Sequence, residues 1–205
     1  MDNQTEAFLR VLNSEDTTTG GGTASAIAGA MAAALVAMVA RLSVGKGFGE
    51  PDEFYFELAS EAESLSAQLL EGGHLDSQAF EALRAAYRLS KQTEEQKAER
   101  NGAIQQSVLN AAGVPLENGQ HCQRVLELCA ELRERSNPRA ASDLVCARHL
   151  ARAGLLGCIA NVEANLAAVQ NQALRADLRS SARRLRELAA KQEGGITDTG
   201  GDSER

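Results

Sequence analysis

The chain has 205 residues, enough for one domain with a proper core, and 43% of them are hydrophobic, which excludes bulk disorder. Aromatic residues make up only 3%, so the core must be filled by Ala, Leu, Val and Ile, a composition that suits closely packed helices. A formal net charge of −7 argues against a general nucleic-acid binder, which needs a basic surface to neutralise phosphate.

Residues 4–13 place Ala7, Phe8, Val11 and Leu12 on one face of a short helix, and residues 14–22 form a polar, glycine-rich loop. From 23 to 43 the chain is small or apolar, with no charge before Arg41. Its uninterrupted apolar stretch, residues 26–40, is about 15 residues, short of the roughly 20 that a membrane span wants. A wholly buried central helix is therefore expected, and no membrane segment. Residues 44–52 form a second loop, with three glycines around Lys46 and Phe48. A helix over residues 53–71 is expected to end at Gly72-Gly73, with Asp76 as the N-cap of the next, residues 77–89.

Thr93 opens a T-E-E-Q capping box for a helix reaching about residue 112. Pro115 is expected to start a helix to about residue 135, and Asn137-Pro138 a long one to about residue 170. A last amphipathic helix covers residues 171–192, and the tail at 193–205 is expected to be disordered. No six-residue alternation with turn chemistry signals a strand. The expected architecture is all-α: one domain over residues 1–192, a bundle of about seven to eight helices around the Gly/Ala-rich helix. Cys122, Cys129, Cys146 and Cys158 lie inside helical patterns, where buried free thiols are common, and no secretion signal is expected at residues 1–13, where Asp2, Glu6 and Arg10 interrupt the apolar positions. The cytoplasm is the default expectation.

The strongest local signal is the glycine run Gly20-Gly21-Gly22 leading into a helix. Glycines permit close backbone approach, and a helix N-terminus presents unpaired N–H groups that favour an anion; a tight packing turn is the equal alternative. Lys46 in its glycine-flanked loop could reach a ligand or simply be solvated. Asp143, early in the long helix, could act chemically or complement the positive helix end. Asn161 and Asn165, four apart on one helical face, need partners in another helix or in a polar ligand. His121 beside Cys122 and His149 near Cys146 do not make a convincing metal set. Arg175, Arg179, Arg183 and Arg186 read as a solvated basic face.

Three blocks in order, spanning about residues 16–171, resemble the cyclodeaminase/cyclohydrolase family of folate enzymes: TTTGGGTASAIAGAMAAALVAMVARLSVGKGF, LDSQAFEALRAAYRLSKQTEEQKAERNGAIQQSVLNAAGVPL and NPRAASDLVCARHLARAGLLGCIANVEANL. The resemblance implies a homodimeric or higher α-helical enzyme of one-carbon metabolism. It would convert 5-formiminotetrahydrofolate to 5,10-methenyltetrahydrofolate with loss of ammonia, or alternatively hydrolyse methenyltetrahydrofolate. A divergent noncatalytic module binding folate or a partner protein is the reading from another class. The resemblance implies no metal or redox cofactor, and a formimino substrate that either comes from a separate formiminotransferase or is already free.

It also implies roles residue by residue. Gly20, Gly21, Gly22, Thr23 and Ser25 would let backbone approach the folate. Lys46 would bind the glutamate tail or serve as an acid. Asp143 would be the general base or pterin anchor, and Asn161 and Asn165 would orient substrate or the Asp143 carboxylate. Asp76 and Arg100 match the central block, where a cap and a helix-linking ion pair are expected.

Overall fold

The computed structural model describes residue 11 and residues 18–191; the expected tail at 193–205 and, apart from Val11, the expected helix at 4–13 lie outside the described residues. Among the described residues from 18 on, five α-helices follow one another: α1 (Gly21–Arg41), α2 (Asp52–Arg88), α3 (Glu94–Leu132), α4 (Ala141–Leu166) and α5 (Gln172–Lys191), with a 3-10 turn at Pro138–Ala140 before α4. No strand occurs among the described residues. The expectation of seven to eight helices is thus corrected, because two apparent helix breaks lie inside single long helices.

The first is Gly72-Gly73. Each glycine costs a helix about 1 kcal/mol relative to Ala, and local propensity alone would stop α2 there. A Cβ at Gly72 would collide with the Asn118 side chain of α3, and one at Gly73 would stand 3.5 Å from Thr23 Cγ2 of α1. The pair therefore lets α1 and α3 pass close to α2, and packing overrides propensity. Asp76 in consequence lies in mid-helix and does not cap a new one.

The second is Pro115, buried within α3. Lacking an N–H, it leaves the carbonyl of Ala111 without its helical partner. Asn165 Nδ2 of α4 donates to that carbonyl at 3.0 Å. A side chain from a neighbouring helix thus fills the gap, and α3 runs on for 39 residues. The Thr93 capping box forms as its sequence predicts, with Gln96 N–H donating to Thr93 Oγ1 at 3.3 Å and Thr93 N–H to Gln96 Oε1 at 3.4 Å.

α1 packs along α2 and α4 and is crossed by α3. Its small residues make this possible: a Cβ on Gly154 of α4 would be 2.7 Å from the Ser25 carbonyl, and one on Gly29 would be 2.5 Å from Cys122 Sγ. α1 is long and apolar enough to cross a membrane, with a mean hydropathy of 1.9, yet twelve of its residues are buried against the other helices. It is not wholly buried. Ala24, Met31, Ala34 and Met38 form an exposed stripe, Met31 being 56% exposed.

The main core runs from Val36, Val39 and Leu69 through Leu128 and Leu132 to Leu155 and Ile159. Tyr55 is fully buried in it, its hydroxyl donating to the Arg135 carbonyl at 2.6 Å. At the far end, Ser43 and Asn137 tie the turn before α4 to the end of α1, with Asn137 Nδ2 donating to the Leu42 carbonyl at 3.1 Å. Cys122, Cys129 and Cys158 are buried free thiols; Cys146 is exposed, because its helical position faces outward.

Candidate active site

The N-terminus of α1 meets the middle of α2. A helix begins with N–H groups that no intrahelical carbonyl takes. Here the Asp76 carboxylate is brought to them from another helix and accepts a hydrogen bond from the Thr23 backbone. Thr23 Oγ1 lies 3.3 Å from Asp76 Oδ2, 3.3 Å from the Gly73 carbonyl and 3.1 Å from Ser77 Oγ. Its single proton is shared among these acceptors, and the bonds are long for hydroxyl donors.

Burial therefore dominates at Asp76, and its carboxyl is pushed above the ordinary carboxylate value in spite of the Thr23 hydrogen bonds. The residue is neither fully buried nor fully exposed. A half-buried carboxylate with a raised pKa beside the backbone donors of a helix start holds a proton more readily than an ordinary carboxylate, which suits it to general acid–base work.

The three glycines have different reasons. A Cβ on Gly22 would overlap both carboxylate oxygens of Asp76, so only glycine admits this approach. Gly21 faces Asn161, whose Nδ2 would be 3.5 Å from an added Cβ, and Gly20 has open space around it. Ser25 Oγ donates to the Gly21 carbonyl at 2.6 Å, tightening the first turn. Just before the run, Thr19 is 6% exposed and its Oγ1 has no partner among the described residues. Behind Asp76, the Cys158 thiol is pushed strongly upward, first by its hydrogen bond with Cys122 and then by burial.

Asn161 Nδ2 donates to the Gly157 carbonyl at 2.8 Å, and Asn165 is spent on the carbonyls of Ala111 and Asn161. Asn161 therefore borders the glycine run, whereas Asn165 closes a gap in the backbone of α3. Arg100 likewise does structural work: its guanidinium donates to the Tyr87 carbonyl at 3.1 Å and lies over the Tyr87 ring. It links helices through a carbonyl and a ring, not through the expected ion pair.

Gly20, Gly21, Gly22, Thr23, Ser25 and Asn161 are thus brought together, and Lys46 and Asp143 are not brought to them. Lys46 is exposed in the loop after α1, between Gly45 at φ 68° and Gly47 at φ 70°. Asp143 is half-buried in the first turn of α4, at that same end. α4 runs antiparallel to α1, with Asn161 beside Gly21 and Gly154 beside Gly29. At 1.5 Å per residue, both are about 30 Å from the glycine run within one chain.

Asp76 is the residue that sequence reasoning undervalued. Its signal was the spacing of Gly72, Gly73, Asp76 and Ser77, which puts small residues and a carboxylate on one face of a continuous helix. The arginine stripe of α5 is largely solvated, with Arg186 paired to Glu163 at 2.8 Å.

The fold matches the crystal structure of a formiminotetrahydrofolate cyclodeaminase from Thermotoga maritima, with a TM-score of 0.82, 23% identity, and coverage of 95% of this chain and 92% of that one. A methenyltetrahydrofolate cyclohydrolase of Methylorubrum extorquens is 36% identical over 201 residues, covering 98% of this chain and 92% of that protein. The formimidoyltransferase-cyclodeaminase of Rattus norvegicus is 30% identical over 167 residues, covering 81% of this chain but 31% of its own length. This chain therefore spans about a third of the formimidoyltransferase-cyclodeaminase that it matches. The family model for formiminotransferase-cyclodeaminase matches residues 4–184, nearly the whole chain, and the protein belongs to that family of folate one-carbon enzymes.

Proposed function

We propose that this chain hydrolyses 5,10-methenyltetrahydrofolate to 10-formyltetrahydrofolate, with Asp76 moving the protons. The observation that carries the reading is Asp76: a carboxylate held above its ordinary pKa, against the start of α1, in space that only Gly22 leaves open. The similarity to a cyclohydrolase over nearly the full length of both chains favours hydrolysis over deamination.

The methenyl carbon bridges two folate nitrogens and carries amidinium character. Water adds to that carbon as Asp76 takes one of its protons, giving a neutral tetrahedral adduct. The adduct loses its hydroxyl proton, the bond from carbon to N5 breaks, and Asp76 returns its proton to N5. One proton is released overall. The N–H groups at the start of α1 stabilise the oxygen that develops negative charge. Gly20, Gly21 and Ser25 shape this wall, and Asn161 orients the substrate beside it.

Cyclodeamination is the second reading, favoured by the 30% identity to the formimidoyltransferase-cyclodeaminase of the rat. The same carboxylate would assist N10 as it attacks the formimino carbon and ammonia leaves. A separate formiminotransferase would then supply the substrate. The deciding experiment follows the loss of methenyltetrahydrofolate absorbance, and its appearance from formiminotetrahydrofolate, on adding protein. Turnover of the first, abolished in Asp76→Asn, supports the proposal. Turnover of the second alone transfers the assignment to cyclodeamination, and turnover of neither leaves a noncatalytic folate-binding module.

The working form is proposed to be a homodimer that pairs α1 with its copy. The exposed stripe of α1 ends in Met38 at 37% exposure, and Leu42, just past the helix, is 42% exposed. Antiparallel pairing across a two-fold axis lays the Lys46 loop of one copy beside the glycine run of the other. There the partner's Lys46 would meet the anionic glutamate tail of the folate. Mixing Lys46→Ala with Asp76→Asn protein should then restore activity that neither variant has alone. Monomeric protein by light scattering at full activity would remove this part of the proposal.

A further inference from the structure

A groove of about 370 Å³ lies between α2 and α3, one helical turn from Asp76 along α2. Its volume falls in the range that holds small-molecule ligands. Two of the residues that line it each carry a buried polar atom without a partner among the described residues: Asn118 its Nδ2 and His121 its Nδ1. Asn118 is only 2% exposed, and an unpaired amide N–H at such a depth is costly unless a ligand meets it. The position is built deliberately, since a Cβ on Gly72 would fill the space that the Asn118 carbonyl oxygen occupies.

The rest of the lining narrows the ligand. Leu75 and Val114 supply apolar walls, and Glu71 and Glu117 supply carboxylate acceptors. An apolar slot with an amide donor and carboxylates suits a flat heterocycle that carries a carbonyl beside N–H donors. Among the described residues no three His, Cys, Asp or Glu side chains converge to hold a metal ion, so the carboxylates are read as acceptors for N–H groups.

We infer that this groove takes the 2-amino-4-oxopyrimidine ring of the pterin, which rests on the folate reading above. The ring carbonyl accepts from Asn118 Nδ2, whose terminal torsion is broad enough to turn towards it. The ring N–H and exocyclic amine donate to Glu71 or Glu117. Asp76 lies four residues beyond Gly72, about 6 Å along the helix axis, a distance comparable to the width of the bicyclic ring. The groove thus holds one end of the pterin while the other end, with its one-carbon unit, reaches Asp76.

The test is binding of 6-methyltetrahydropterin by titration calorimetry. This fragment has neither the glutamate tail nor the one-carbon unit, so binding is read apart from turnover. Wild-type protein should bind it, and Asn118→Leu should weaken binding roughly tenfold for the lost hydrogen bond. Ala67→Trp places a large ring over the groove from an exposed position, and should abolish binding with the melting temperature unchanged. Equal binding by wild type and Ala67→Trp overturns the inference, as does no binding by wild type at millimolar fragment. If the fragment binds in the groove but neither folate substrate is turned over, the catalytic reading fails and the subsite stands. If turnover is seen and Ala67→Trp leaves KM for folate unchanged, the subsite fails alone.

Discussion

Replacing Asp76 by Asn keeps the side-chain volume and the acceptor oxygen that Thr23 uses, but removes the charge and the ability to carry a proton. The structure gives the two consequences opposite signs. Because burial raises the Asp76 pKa above its ordinary 3.8, the native state binds the proton more tightly than the unfolded chain. The stabilising contribution of the protonated group is fully present below 3.8 and is lost as pH rises through the folded value. At pH 7 the charged carboxylate is therefore a burden on the fold. Asp76→Asn should be more stable than wild type there, with the difference shrinking in acid.

The hydrogen bonds at stake are too weak to reverse this sign. The Thr23 hydroxyl stands 3.3 Å from the carboxylate, and an amide oxygen can accept in its place. Activity should move the other way, with kcat falling about 10²- to 10⁴-fold for loss of general acid–base catalysis. Urea melts at several pH values and the methenyltetrahydrofolate absorbance assay measure both effects on one protein. A variant destabilised at pH 7 by about 1.5–3 kcal/mol, the cost of losing hydrogen bonds to a charged group, with near-normal kcat would show that Asp76 is only a cap.

Thr23→Val deletes a hydrogen bond that lowers the Asp76 pKa, so the acid limb of the kcat/KM profile should shift to higher pH. Gly22→Ala drives a methyl group into the carboxylate; it should cost about 1–3 kcal/mol in chemical denaturation and reduce kcat by displacing Asp76. Tyr55→Phe removes the 2.6 Å bond to the Arg135 carbonyl at the far end of the bundle, and should lose about 1 kcal/mol with kcat unchanged.

The residues that obey local rules were legible in the sequence. The Thr93 capping box and the limits of α5 follow from caps and periodicity, which depend on near neighbours along the chain, whereas the Gly/Ala helix starts at Gly21, inside the stretch expected to be a loop. Gly72-Gly73 and Pro115 were misread because their meaning lies across space: one pair admits Asn118 and Thr23, and the other residue is rescued by Asn165. Asp76 is the instructive case. Its sequence signature was that of a helix cap, and it does meet a helix N-terminus, but that of α1, some fifty residues earlier in the chain. Lys46 and Asp143 were grouped with the glycines by their order in the family's blocks. Order carries no distance, and the antiparallel path of α1 and α4 sends them to the opposite end.

The bond from Asn165 to Ala111 makes Pro115 and Asn165 historically dependent on each other. With Pro115 in place, losing Asn165 strands a backbone carbonyl at a cost of about 1–3 kcal/mol. With Ala at 115 the helix supplies its own N–H, and position 165 is released to vary. A lineage can therefore gain the proline cheaply only after the asparagine, and can lose the asparagine cheaply only after the proline. The order of substitutions is written into one 3.0 Å hydrogen bond, and a double-mutant cycle on the two positions reads it as a coupling energy.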